Sequence, residues 1–413
     1  MCKKQVAVLL GGTSPHAVLA QKLRNRGYYI VLVDYLDNPP ARAFVDEHVQ
    51  ASTLDQDAVL KIAEERNASI VISTCIDQAN SVCCYVAEKL NLPHPYSYET
   101  SLNVTDKGLM KAIMFDNGIP TSSYVVVESS NAVDWAKVSF PAVVKPVDCN
   151  SSKGVRKVDS IDEAKSCIDE AIELSRTRKA IIEGFNQGEE IQVDCVSTQE
   201  GVKVVLTRQK NKIARCGNEM VLQSRGSIIP APLNETLKIQ AQKIAENIAS
   251  SFGLVNTPFF YQAIVTTEGI KVLEFAPRIG GGLSYYVIKE LAGFDVVEAA
   301  IDSFIGKPIE FTGKPLTMYY STNLLYMQPG VFDHIEGLCE LKEEGHAYEV
   351  FTMKNKGTVV DSDMRSSNRV AAFILQANTM EELKEKEKFA IDKIEIIDSC
   401  GKALLNRSIY NFQ

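Results

Sequence analysis

Residues 270–282, "IKVLEFAPRIGGG", decide how the rest of this chain is read. The run opens with the aliphatic, β-branched pattern of a strand. It then sets a carboxylate at Glu274 and a guanidinium at Arg278, and ends in Gly280, Gly281 and Gly282. A charge taken out of water costs several kcal/mol, roughly, unless it is paired or bound to a ligand. A strand that ends in two opposite charges and then sheds its side chains therefore points to a ligand. The segment before it, "TPFFYQAIV" (257–265), is a second strand, and Glu268–Gly269 supplies the turn of a hairpin. With the turn centred near Glu268, Gln262 and Glu274 fall opposite each other on one face. Paired oxygen donors there suit Mg²⁺, which takes one or two carboxylates and completes its shell with phosphate oxygens.

Three further charges interrupt apolar strands. Lys145 ends "FPAVVK" (140–145), Glu183 ends "KAIIE" (179–183) and Glu190 opens "EIQVDCV" (190–196). Taken singly, each is equally an edge-strand charge. Beside Lys145 lies "NSSKG" (150–154), where Ser151 and Ser152 offer hydroxyls and N–H groups and Gly154 allows close backbone approach. That combination suits triphosphate oxygens. It lacks the spacing of a Walker A loop.

Working outward, residues 4–100 alternate continuous apolar strands with helices. The strands are "KQVAVLLGG" (4–12), "YYIVLVDY" (28–35) and "ASIVISTC" (68–75). Helices follow at 14–27, 54–67 and 77–91, the first with Ser14 as N-cap and Pro15 in its first turn. This pattern predicts a doubly wound parallel sheet. Asp34, about 20 residues beyond Gly11–Gly12, hints at a dinucleotide site, but "GGTSPH" is not the G-x-G-x-x-G fingerprint. Residues 105–118 form a helix carrying Lys107 and Lys111, capped by Thr105 or Asp106. Antiparallel strands with helices on one side then mark an α+β region, with a long helix at 234–253 capped by Asn234. From about Gly313 short strands and a final helix make a smaller region.

The 413 residues carry a net charge of −8, with 45% hydrophobic and 23% charged residues, enough for a large core and for about two to four domains. The absence of a long basic run argues against a nucleic-acid or membrane surface. Ten scattered cysteines with no C-x-x-C pair, and five histidines, argue against zinc. They read as small buried hydrophobes in a reducing compartment, and the short apolar start "VAVLL" leads to a cytoplasmic expectation.

Three segments, "FPAVVKPVDCNSSKGV", "IIEGFNQGEEIQVD" and "YQAIVTTEGIKVLEFAPRIGGG", together resemble the ATP-grasp superfamily. The resemblance is to the branch of biotin carboxylase, carbamoyl phosphate synthetase, the purine-pathway carboxylases and the L-amino acid ligases. It covers essentially the whole chain. It implies an α/β and α+β multidomain fold: a doubly wound N-terminal domain (1–104), a two-lobed ATP-grasp domain (105–312, lobes about 121–188 and 189–312) and a small β-rich C-terminal domain (313–413). It also implies residue roles. Lys107 and Lys145 contact ATP phosphates, and Ser151, Ser152 and Gly154 belong to the loop that closes over them. Glu183 and Phe185 lie at the hinge that reads adenine, and Glu190 holds the ribose. Gln262 and Glu274 stand at the metal positions, for one or two Mg²⁺ with Mn²⁺ as an alternative. Arg278 stabilises the transferred phosphoryl. Gln262 stands where Glu is frequent, and Ala276 where Asn is frequent, which bears on a second metal.

The chemistry implied is phosphorylation of a carboxylate by ATP and capture of the acyl phosphate by an amine, with ADP and phosphate released. The acceptor side is read from Gly281 and Gly282, from Tyr285, which is equally a core residue, and from Arg215 in the polar loop "RQKNKIARCGNEM" (208–220). The first expectation is an amide-forming ligase with small-molecule carboxylate and amine substrates, and the resemblance adds a homodimer. A carboxyphosphate-forming carboxylase, a non-catalytic ATP-binding paralogue and an oxidoreductase are the alternatives. The last explains none of the later motifs.

Overall fold

The computed structural model describes residues 4–149, 153–213, 223–362 and 368–410. The chain opens with β1 (Val6–Leu10), α1 (Ser14–Asn25), β2 (Tyr29–Asp34), β3 (Glu47–Gln50), α2 (Gln56–Glu65), β4 (Ala68–Ile72), α3 (Asp77–Leu90) and α4 (Tyr98–Thr105). The four strands lie in the order β3-β2-β1-β4, all parallel, and β1, β2 and β4 are almost wholly buried. This is the doubly wound sheet expected from the continuous apolar strands. The short edge strand β3 and helix α4 were not legible in the pattern. β3 is four half-exposed residues, and α4 is two turns started by Ser97 accepting from the Thr100 N–H.

The next elements are α5 (Lys107–Asp116), β5 (Tyr124–Val127), β6 (Ala142–Pro146), β7 (Arg156–Val158), α6 (Ile161–Leu174), β8 (Ala180–Gly184), β9 (Glu189–Thr198), β10 (Gly201–Lys212) and β11 (Ser224–Ile229). Then come α7 (Glu235–Ser251), β12 (Thr257–Thr266), β13 (Gly269–Ala276), α8 (Ser284–Ala292) and α9 (Val296–Phe304). Side chains start two of the helices as read from the sequence. Asp106 accepts from the Gly108 and Leu109 N–H groups, and Asn234 from that of Leu237. The chain finishes with β14 (Tyr319–Tyr326), β15 (Gly330–Glu336), α10 (Leu338–Glu343), β16 (Glu349–Thr352), β17 (Val359–Val360), β18 (Arg369–Ala377), α11 (Met380–Lys393) and β19 (Glu395–Asp398).

Two compact units emerge. The first comprises residues 1–124, 193–206 and 233–315, the second 125–192, 207–232 and 316–413. In the first, the parallel sheet, helices α1 to α5 and the β12–β13 hairpin come together. Ion pairs join α1 to α9: Lys22 reaches Asp295 at 2.7 Å, and Arg26 reaches Asp302 at 2.6 Å and Glu298 through Nε at 2.8 Å. A network of this kind holds one geometry better than isolated surface pairs do. In the second unit, the four-stranded sheet β5-β8-β6-β7 is covered by α6, whose Ile168 joins Ala142, Val144 and Ile182 in one core. A separate core gathers Leu325, Phe373, Leu375, Leu383, Ile391 and Ile396 from β14, β18, α11 and β19.

The Gly11–Gly12 turn has a packing cause. A Cβ on Gly11 would lie 2.7 Å from His16 Nε2. His16 is fully buried, and Thr13 Oγ1 approaches its Nδ1 at 2.7 Å while Ser73 Oγ lies 3.2 Å from its Nε2. The Ser73 hydroxyl donates to the Leu10 carbonyl at 2.7 Å, so it accepts from Nε2–H, and Nδ1 accepts from Thr13. Helix α1 thus begins after Thr13, not Ser14, and the Thr13 side chain serves the imidazole instead of the helix end. Asp34, the remaining element of the dinucleotide hint, accepts from the Leu36 N–H at 2.9 Å and caps its own loop.

Burial lowers the His16 pKa to about 3. The unfolded chain protonates near pH 6.5 while the folded one stays neutral. The first unit should therefore lose stability as pH falls from 6.5 toward 3, by about 1.4 kcal/mol per pH unit. Unfolding followed from pH 7 to 4 should show this slope in the wild type and a flatter one in His16→Gln.

Candidate functional site

Strand β13 carries one group of the candidate side chains in the first unit. Its register on β12 pairs Phe260 with Ala276, Tyr261 with Phe275 and Gln262 with Glu274. Beyond that point the register shifts, so that Ala263 pairs with Val272 and Leu273 is the extra residue of a β-bulge. The bulge decides the site. The turn residues alone set Thr266 against Gly269, and an unbroken ladder from there would oppose Gln262 to Leu273 and send Glu274 to the other face. With the bulge, Glu274, Ala276 and Arg278 follow at the two-residue period on the face that holds Gln262 and Phe260. The Arg278 guanidinium accordingly lies 5.3 Å from the Phe260 ring centre.

Glu274 is partly open, at 39% of its side-chain surface, and Gln262 is half-buried. Lys107, the first residue of α5, is buried and brings its Nζ to 3.9 Å from Glu274 Oε2. Lys111, one turn later, is spent on the fold. Its Nζ donates to Thr121 Oγ1 at 2.5 Å and to the Val272 carbonyl at 3.3 Å, which anchors α5 to β13.

Arg278 makes a paired contact that the sequence reading missed. Its Nε and Nη2 donate to the two carboxylate oxygens of Asp77, each at 2.5 Å, and Nη1 donates to the Ile279 carbonyl at 2.9 Å. Burial works against the charge on Arg278, but the Asp77 carboxylate outweighs it and raises the pKa. Burial also pushes the neighbouring Cys75 thiol up, which leaves it a poor nucleophile. The signal for Asp77 lay in its place beyond the carboxyl end of a strand in a doubly wound sheet, where ligand-facing residues collect. Read as a helix start alone, it gave no hint of a partner 201 positions away.

After Arg278, Gly280 is buried while Gly281 and Gly282 are exposed, and a Cβ at either exposed glycine would meet nothing within 4 Å. Tyr285 and Tyr286 follow half-buried in the first turn of α8, and burial raises the Tyr285 phenol pKa. A crevice of about 10 Å³ is lined by Arg278, Ile279, Thr74 and Ser303, among others. The Thr74 and Ser303 hydroxyls have no hydrogen-bond partner among the described residues, and the space suits one water.

The second unit holds the remaining group. Lys145 on β6 and Glu183 on β8 are diagonal neighbours, since Val143 pairs with Glu183 and Lys145 with Ile181. Their side chains are 10% and 3% exposed and meet at 2.6 Å. Gly154, at φ +70°, has Leu174 Cδ1 2.7 Å and Pro146 Cγ 3.0 Å from where its Cβ would be, so any other residue is both strained and crowded. Phe185 follows β8, its N–H bonded to the Pro141 carbonyl at 3.0 Å and its ring 5.2 Å from Lys157 Nζ. Glu190 sits between Lys210 at 2.9 Å and Lys212 at 2.5 Å. Burial raises its pKa, and the two ammonium groups together outweigh that and lower it. Ser151, Ser152 and Arg215 lie outside the described residues, and of the stretch 208–220 read as a loop, residues 208–212 are instead the end of β10, which pairs with β11.

No group of three or more His, Cys, Asp or Glu suited to a metal occurs among the described residues. A metal at β12–β13 would therefore draw on Glu274, the Gln262 amide oxygen and ligand oxygens, a donor set that fits Mg²⁺. No helix among the described residues is long and apolar enough to cross a membrane.

The Lys145–Glu183 pair carries a specific expectation. Glu183→Gln removes the counter-charge of a buried ammonium and should cost about 3 kcal/mol of stability. Glu183→Gln combined with Lys145→Met should recover part of it, as read by thermal unfolding.

Part of the chain matches a known protein family. Residues 105–282 match the family described as phosphoribosylglycinamide synthetase, ATP-grasp (A) domain. The chain is 24% identical over 315 residues to a formate-dependent phosphoribosylglycinamide formyltransferase of Rhodococcus jostii (strain RHA1), covering 74% of this chain and 76% of the relative. Among solved structures, an L-amino acid ligase from Bacillus licheniformis superposes with a TM-score of 0.80 at 21% identity, covering 97% of this chain and 100% of the other. A phosphoribosylglycinamide synthetase from Anaerococcus prevotii superposes with a TM-score of 0.76 at 15% identity, covering 96% and 100%. Residues 105–282, which hold the motifs around Lys145, Glu183 and Glu274, thus match an ATP-grasp domain, and the fold is similar to those of the L-amino acid ligase and phosphoribosylglycinamide synthetase structures over nearly the whole chain.

Proposed function

We propose that this chain joins a small carboxylate to a small amine with ATP, by way of an acyl phosphate, and releases ADP and phosphate. The observation that carries the reading is the face of β13, where Glu274 pairs with Gln262, has Lys107 at 3.9 Å and is followed on the same side by Arg278. Cations and a metal-fitting carboxylate collected at one strand end suit a phosphoryl group in transit. Two of the similar proteins use carboxylates by name. One is formate-dependent and one is an L-amino acid ligase, which supports a carboxylate substrate here.

The roles are those that the ATP-grasp resemblance implies, and the chemistry of each group suits them. Lys107 and Lys145 neutralise phosphate oxygens, and the loop of Ser151, Ser152 and Gly154 excludes water from them. Glu183 and Phe185 serve the adenine and Glu190 the ribose hydroxyls, so Glu190 exchanges one or both of its lysine contacts for the sugar. Gln262 and Glu274 hold Mg²⁺, which when bound offsets the charge on the phosphate oxygens. A carboxylate oxygen of the first substrate attacks the γ-phosphorus and ADP leaves, with Arg278 offsetting the charge. The amine of the second substrate then attacks the acyl carbon, the C–N bond forms and phosphate leaves. Arg215, Gly281, Gly282 and Tyr285 are assigned to the acceptor. The functional division is 1–104, 105–312 and 313–413, with the middle segment carrying the nucleotide chemistry.

Incubation with Mg·ATP and a panel of amino acids, formate, other small carboxylates, bicarbonate and amines tests the reading. ADP and phosphate should form only with a carboxylate present, and ¹⁸O from a labelled carboxylate should appear in the released phosphate. AMP with pyrophosphate, or phosphate free of label, overturns it.

Glu274→Gln should lower Mg²⁺-dependent turnover by about 10²-fold or more. Its melting temperature should stay near that of the wild type, because Glu274 is partly exposed. Wild-type turnover in this variant would remove Glu274 from the metal site.

A further inference from the structure

The contacts of Arg278 point to a further functional residue in the N-terminal layer of the first unit. Asp77 is the first residue of α3 and accepts from both Nε and Nη2 of Arg278 at 2.5 Å. The two side chains are 14% and 13% exposed. Two parallel N–H···O bonds fix the plane of the guanidinium as well as its position. The Ile279 carbonyl at 2.9 Å and the Phe260 ring at 5.3 Å hold the same plane from other sides. Asp77 itself lies in the first turn of a helix, where the N-terminal end of the dipole favours a carboxylate.

An arginine has five N–H groups, and three are committed here: Nε–H, one on Nη1 and one on Nη2. Among the described residues, one N–H remains on each Nη. A guanidinium held on three sides with two donors left is a preorganised oxyanion site, since no reorganisation is needed as charge develops. We propose that Asp77 is the positioning residue of the phosphoryl-transfer step: it does not touch substrate, but clamps Arg278 so that its two remaining N–H groups meet the oxygens of the carboxylate and of the phosphoryl it receives. This rests on the carboxylate-phosphorylating reading. It adds that the doubly wound layer, through Asp77, takes part in the chemistry.

The consequence concerns rate more than binding. An arginine freed from Asp77 keeps its charge, because guanidinium is protonated at any accessible pH. It loses its fixed direction, and misplacement by about 1 Å is worth on the order of 10²-fold in rate. Asp77→Asn, Asp77→Glu, Arg278→Gln and the Asp77→Asn/Arg278→Gln double variant should be compared with the wild type. Each rate of carboxylate-dependent ADP formation is expressed per site that binds a non-hydrolysable ATP analogue, so that loss of folded protein does not enter.

Asp77→Asn should lower kcat per site by about 10²-fold with KM for ATP within about twofold. Asp77→Glu should recover part of the rate, and the double variant should be no slower than Arg278→Gln alone. Wild-type kcat per site in Asp77→Asn, or losses that multiply in the double variant, would overturn the inference. Should Asp77→Asn fail to fold, the Asp77→Glu variant decides: unchanged kcat per site overturns the positioning role, and a reduced kcat with unchanged KM for ATP supports it. A wild-type protein that forms no ADP with any carboxylate would instead overturn the proposed function, which keeps the two failures apart.

Discussion

Charge that leaves water must be met by charge, and at Arg278 this condition organises much of the first unit. Its partner comes from α3 of the parallel sheet, 201 positions earlier in the chain. Left alone, a guanidinium so enclosed would cost several kcal/mol, roughly. With Asp77 in place its charge is kept and its direction set. The same condition operates at Lys111, whose ammonium is spent on Thr121 and the Val272 carbonyl and so ties α5 to β13. In the second unit it operates again at Lys145 with Glu183, and at Glu190 between Lys210 and Lys212.

These contacts differ in what they leave open. Lys111 is 1% exposed and its contacts serve the fold. Glu274 keeps more than a third of its side-chain surface and, among the described residues, pairs with Lys107 at 3.9 Å. Among the described residues, Arg278 keeps two N–H groups after three are used. A side chain that is held firmly and still has donors or acceptors to spare is what a reaction site requires. The strand end "LEFAPR" has that character, while the Lys111 neighbourhood does not.

Much of this was legible beforehand because the signals were local. Continuous apolar strands alternating with capped helices predicted the parallel sheet. Asp106 and Asn234 announced their helices by side-chain chemistry within three residues. The hairpin spacing set Gln262 and Glu274 opposite each other, as the register has them. Elements without a local signature escaped: β3, α4, β15, α10 and β19 are short and carry no strong apolar period. The glycines at 11 and 12 read only as a turn, and the reason for Gly11, the buried imidazole of His16, is a packing fact.

By itself, then, the sequence determined which residue types stand where strands end, because strand period and charge cost act within a few residues, and the class of chemistry it implied came from the resemblance of those motifs to the ATP-grasp superfamily. Tertiary structure decided which of those charges are free to act. The bulge at Leu273 turned Glu274 onto the face of Gln262, although turn and spacing alone leave that choice open. The Asp77–Arg278 clamp joins two side chains that no sequence period connects. Both depend on how separate segments pack, and packing is set by the whole chain.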